Sequence, residues 1–150
     1  MSAGVANRTL TLEDLFDENY LPIENTNPVK FSTRFDQYTD ANFPAIQESL
    51  LEHFENVVYA GAVDRNGYFP THNLKFSQPL TGDYQKDLVG NRSKRIFDDR
   101  VGKTCGEHTR EWFLQTYRRD TGELMFDVSA PIYVNNKHWG GFRVGYRPME

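Results

Sequence analysis

Arg92 and Arg95, set among Asn91, Ser93 and Lys94, form the densest cationic cluster in the chain. A guanidinium presents two parallel N–H groups that match a carboxylate or a phosphate, so this pair could grip an anion. The structural alternative pairs the same cations with Asp98, Asp99 or Glu111. Upstream, Tyr68, His72 and Asn73 gather a phenol, an imidazole and an amide, which together offer donors and acceptors to a polar ligand. A histidine in a turn can equally bond nearby backbone and only hold the loop. Asp127, read as lying on the more polar face of a strand, could bind a ligand amine or be solvated, and Tyr117 completes the candidate ligand-binding set.

Cys105 and His108 have a C-x-x-H spacing that could supply half of a zinc site. A covalent haem motif would need cysteine where His108 stands and histidine where Thr109 stands. Non-covalent haem on His72, His108 or His138 stays open, because one imidazole suffices as proximal ligand; no other cofactor is expected. A Cys105 nucleophile would need an orienting third group and an oxyanion hole, and no hydrolase motif surrounds it. Asp98 and Asp99 are adjacent and diverge in a helix or a strand, which suits neither acid nor base work in concert. No catalytic residue is expected, and the chain reads as a non-enzyme.

The elements that must position these groups follow from periodicity. Thr11 can cap a short helix over Leu10 to Leu15. Pro22 and Pro28 favour extended chain. Phe31, Phe35, Tyr38, Phe43, Ile46, Leu50 and Phe54 recur near helical spacing and predict one long or two shorter amphipathic helices, with Pro44 a kink or restart. Val57 to Val63 is strand-like and ends at Asn66-Gly67, a hairpin signal, so Tyr68 to Thr71 reads as the return strand. His72 to about Arg110 is irregular, with helical character at Tyr84 to Val89 and Ser93 to Phe97; such segments are often binding segments. Glu111 to Arg119, Leu124 to Val134 and His138 to Arg147 read as three further strands, separated by the turns Asp120-Thr121-Gly122 and Asn135-Asn136-Lys137.

This order predicts an α+β domain: N-terminal helices over about 9–56, then a five-stranded antiparallel sheet and pocket over about 57–147, with a helical segment between strands 2 and 3. The helices are expected on one side of the sheet. Leu124, Phe126, Val128 and Ala130 are expected to face the core, and Trp139, Gly141 and Arg143 to share a face. A chain of 150 residues suits one domain, and 14% aromatic content suits a packed core. The net charge of −4, without a basic block, argues against nucleic acid. No apolar run approaches the length of a membrane span, and the single cysteine fits a reducing compartment, so a cytoplasmic domain without membrane contact is expected, or a periplasmic one if it derives from an extracytoplasmic sensor.

Four strings carry a resemblance. They are Asp64-Arg65-Asn66-Gly67-Tyr68 with Pro70-Thr71-His72-Asn73; Asn91-Arg92 with Arg95-Ile96-Phe97-Asp98-Asp99; Gln115 to Gly122; and Ser129-Ala130-Pro131-Ile132 with His138-Trp139-Gly140 and Phe142-Arg143. In this order the chain resembles the PAS/Cache-like sensory domain of bacterial methyl-accepting chemotaxis proteins, most strongly from Val57 to Tyr146. The resemblance implies a small-molecule ligand, attached chemoreceptor signalling helices, a homodimer in the full receptor, and no catalysis. Two rival readings are a dimerisation module using the Phe31–Phe54 stretch and a haem-based gas or redox sensor.

Overall fold

A computed structural model describes residues 1–118 and 122–149. The predicted Asp120-Thr121 turn and the Arg119 end of its strand lie outside the described residues. In chain order the elements are α1 (Ser2–Ala6), α2 (Leu12–Leu15), β1 (Leu21–Ile23), β2 (Lys30–Ser32), α3 (Asp36–His53), β3 (Val57–Asp64), β4 (Tyr68–Phe69), a 3-10 turn (Leu74–Phe76), α4 (Tyr84–Gly90), β5 (Arg95–Ile96), α5 (Arg100–Glu107), β6 (Phe113–Arg118), β7 (Leu124–Val134) and β8 (Lys137–Tyr146). Thr11 caps α2 by accepting from the Asp14 N–H at 3.1 Å. Of the stretch expected to be helical, only Asp36–His53 is: α3 is one helix that runs through Pro44, whereas Phe31 lies on strand β2 and Phe35 and Phe54 flank the helix. Ser93 to Phe97 is not helical: it holds β5.

The fold is mixed α+β, but the main sheet has four antiparallel strands, in the order β3-β8-β7-β6, not five. The expected return strand leaves the sheet after Gly67, and β4 pairs instead with β5. Side chains take its place along β3. Asn73 accepts from the Ala60 N–H through Oδ1 at 2.9 Å and donates to the Ala60 carbonyl through Nδ2 at 3.0 Å, while Gln47 Oε1 accepts from the Ala62 N–H at 3.1 Å. These amides satisfy backbone groups that would otherwise be buried and unpaired. The turn at Asp64-Gly67 is tied by Asp64 Oδ1, which accepts from the Asn66 and Tyr68 N–H groups at 2.9 and 3.0 Å, with Gly67 at φ +82°.

The sheet is covered on both faces, not one. Ala62 belongs to a cluster with Leu10, Leu15, Phe35, Phe43, Tyr68 and Trp139, whereas its neighbour Val63 packs with Phe69, Val101 and Cys105. Successive strand residues point to opposite faces, so the N-terminal elements cover one face and α5 with the irregular middle covers the other. The α5 side requires a close approach: a Cβ on Gly141 would stand 2.1 Å from the Cys105 carbonyl oxygen.

Two orientations differ from expectation. On β7 the buried set is Met125, Asp127 and Ser129, while Leu124, Phe126 and Val128 are half-buried and Ala130 is exposed. The polar set faces α5, where charge pairing offsets its burial, and so it outranks the apolar set. On β8, Tyr133 pairs with His138 and Ile132 with Gly140, which leaves Trp139 as the extra residue of a bulge. Trp139 accordingly stacks edge-on against Phe35 and donates to the Leu15 carbonyl at 2.8 Å, while Arg143 faces α5.

Candidate ligand-binding site

Between the main sheet and the segment from Phe69 to Val101 lies a cavity of about 670 Å³. Its apolar wall includes Val58, Phe69, Phe76, Phe97, Val101 and Met125; its polar lining includes Tyr59, His72, Arg92, Tyr117, Arg118 and Arg143. Burial separates floor from rim. Val58, Phe69, His72, Met125 and Arg143 are buried, whereas Val89, Asp99 and Arg118 are exposed. The size falls in the ordinary range for a small-molecule site, about 300–1,000 Å³, and the mix of apolar wall and few polar groups is typical.

A buried network underlies the floor. Arg143 donates from Nε and Nη2 to Asp127 Oδ2 at 2.9 and 2.7 Å. Tyr59 donates its hydroxyl to the same oxygen, and the Cys105 thiol donates to Oδ1 at 3.0 Å. The Tyr117 hydroxyl lies 3.2 Å from that of Tyr59. Burial pushes the Cys105 thiol up to about 12 and the Tyr59 phenol well above its ordinary value, so both remain protonated donors. Arg143 is held cationic against its burial by the Asp127 carboxylate that it pairs with. Arg143 Nη1 donates to none of the described residues, although the side chain lines the cavity.

His72 is fixed by a local bond. Its Nδ1 accepts from the Asn73 N–H at 2.8 Å, which places the proton of the neutral ring on Nε2. The ring stacks on Phe69 with centroids 4.1 Å apart and meets Phe76 edge-on at 4.9 Å. Burial, reinforced by the positive charges of Arg92, Arg143, Arg95 and Lys75, holds it well below the usual histidine range. The ring is therefore neutral, and its Nε2–H has no acceptor among the described residues.

The candidates named from sequence divide. His72, Arg92 and Tyr117 line the cavity. Arg95 lies beside Arg92: both guanidiniums sit over the Phe97 ring, at 5.0 and 5.1 Å, and both donate to the Leu88 carbonyl. Burial and the neighbouring Arg92 lower Arg95 to about 10. Asp127 stands behind the floor with both oxygens engaged within the protein. Asn73 is committed to Ala60 and to Glu48, at 2.7 Å. Tyr68 lies in the N-terminal cluster, donating to Asp36 Oδ1 at 2.8 Å, away from the cavity. Arg143, the central cation, is not among the sequence candidates: its expected shared face with Gly141 holds and only Trp139 departs at the bulge, but nothing in the sequence pairs Arg143 with Asp127.

Cys105 and His108 do not converge on a common point: the thiol turns to Asp127 and His108 Nε2 bonds Ser129 Oγ at 2.8 Å. Among the described residues no group of three or more histidine, cysteine, aspartate or glutamate side chains is placed to hold a metal. No helix among them is long and apolar enough to cross a membrane. Compared with family models, curated proteins and solved structures, the chain matches none.

Proposed function

We propose that this chain is the ligand-sensing domain of a bacterial chemoreceptor, non-catalytic, binding a small polar or anionic molecule in the cavity beneath Phe69–Val101. One observation carries the reading: a cavity of about 670 Å³ whose buried floor presents Arg143 Nη1 and His72 Nε2–H, donors with no acceptor among the described residues. Neither donor is sealed from the cavity, since the buried unpartnered nitrogens among the described residues are His108 Nδ1 and His138 Nε2, so both donors are open to a ligand acceptor. The segment closing the cavity is tied to the N-terminal layer, since the Phe31 N–H donates to the Lys94 carbonyl at 2.7 Å. A ligand that favours one position of that segment biases the helices with it, and one that binds both positions equally transmits nothing.

The test is a thermal-shift screen of small metabolites followed by calorimetry, on the wild-type protein and on Leu88→Trp, which fills the cavity from α4. A ligand at hundredfold excess over its Kd contributes about 2.7 kcal/mol, or roughly 5–10 °C for a chain of this size. The expected result is a shift in the wild type that Leu88→Trp abolishes. No shift with any compound, or equal binding to the filled variant, contradicts the proposal.

A second reading has its own observation. α3 buries Thr39, Phe43 and Gln47 and leaves Ile46 64% exposed, and Phe54, just past its end, is 52% exposed, which favours contact with a second copy. Sedimentation at micromolar concentration decides it: a dimer broken by Ile46→Asp supports the contact, and a monomer excludes it.

A further inference from the structure

The cavity floor narrows the chemical class of ligand, an inference that rests on the sensory reading above. Arg143 is almost wholly buried, and its Nε and Nη2 are spent on Asp127, so that its fork has one free arm, Nη1. His72, also buried, adds a single Nε2–H, since Nδ1 is occupied by the Asn73 N–H. Both groups are donors. Among the described residues no buried carboxylate lines the cavity to match a ligand amine: Asp127 stands behind the floor with both oxygens engaged, Asp99 is exposed, and Glu123 pairs with Arg147.

Charge limits the ligand to a monoanion. Arg143 and Asp127 cancel and His72 is neutral, while the positive charges felt at His72 are, in order, those of Arg92, Arg143, Arg95 and Lys75. Such a field suits one negative charge; a phosphate dianion would face Asp127 across the same guanidinium. Size excludes the smallest carboxylates as a fit. The cavity holds the equivalent of about twenty waters at about 30 Å³ each, and its floor away from the donors is Val58, Phe69, Val101 and Met125. An acetate-sized ligand would leave these walls wet.

We infer that the ligand is an amphipathic monocarboxylate, its carboxylate accepting from Arg143 Nη1 and His72 Nε2–H and its aromatic or alkyl body lying against Phe69, Phe97 and Met125.

The experiment is calorimetry on the intact 150-residue chain with indole-3-acetate and octanoate, against indole-3-acetamide, acetate and inorganic phosphate. The expected result is binding of at least one of the two amphipathic acids, with the amide, acetate and phosphate at least tenfold weaker. His72→Asn, which keeps an acceptor for the Asn73 N–H but moves the donor, is expected to weaken the acid at least tenfold. An amide that binds as tightly as its acid overturns the inference and leaves the sensory reading standing. So does failure of both acids alongside binding of a neutral or cationic metabolite in the wider screen. Failure of every compound overturns both.

Discussion

At the scale of single residues, the chemistry concentrates where charge is buried. Arg143 and Asp127 are 9% and 0% exposed at the side chain, and each satisfies the other. Removing one partner strands the other, which typically costs about 3–5 kcal/mol, whereas replacing both costs far less. Asp127→Ala is therefore expected to lower the unfolding free energy by that amount in a urea titration, and Asp127→Leu with Arg143→Met to recover most of the loss; a small effect of the single change would contradict the pairing. His72 carries a pH signature. The unfolded ring binds a proton below about pH 6.5, whereas the folded ring, neutral by burial and by the cations around it, does not. The unfolded state thus binds more protons, and stability falls as pH drops below about 6.5, by up to about 1.4 kcal/mol per pH unit. Urea titrations at pH 7 and pH 5.5 are expected to show this fall in the wild type and a shallower one in His72→Asn. An equal fall in both would sink the assignment.

At the scale of elements, the α5–sheet contact depends on Gly141, where an added Cβ meets backbone that cannot rotate away. Gly141→Ala is expected to cost about 1–3 kcal/mol by overpacking and to weaken ligand binding, since α5 carries Val101 on the cavity wall; unchanged stability would show that the approach is looser. Much of the sheet is legible in the sequence: β7 matches its predicted run from Leu124 to Val134, and the Asn135-Asn136 turn has both residues at positive φ, as its composition suggests. The fifth strand is not legible, because Asn73 and Gln47 perform its hydrogen bonding from positions 13 and 15 residues away from their partners Ala60 and Ala62. Periodicity sees backbone partners, not side-chain substitutes. The inverted face of β7 has the same origin: alternation ranks Leu124, Phe126 and Val128 above Asp127, and only the spatial partner Arg143 reverses that order.

At the scale of the whole molecule, two layers meet on one sheet: the candidate cavity lies on the α5 side, and a more open cleft of about 690 Å³ lies on the N-terminal layer, between Leu12, Phe16, Arg34 and Val134. His72, Arg92 and Tyr117 were legible as site residues because they stand in or beside an irregular segment rich in polar groups; Tyr68, from the same string, falls on the opposite layer because strand alternation carries it there. A ligand held on the α5 side is expected to leave the N-terminal cluster nearly undisturbed except through β4, β5 and the Phe31–Lys94 link. The most direct test is a backbone amide NMR titration with indole-3-acetate or whichever ligand the screen returns. The account predicts that saturable shifts concentrate on Phe69 to Phe76, Leu88 to Val101 and the strand residues around Asp127 and Arg143. Shifts confined to α1, α2 or the outer face of β6 and β7, or no saturable shifts with any ligand that stabilises the protein, would contradict it.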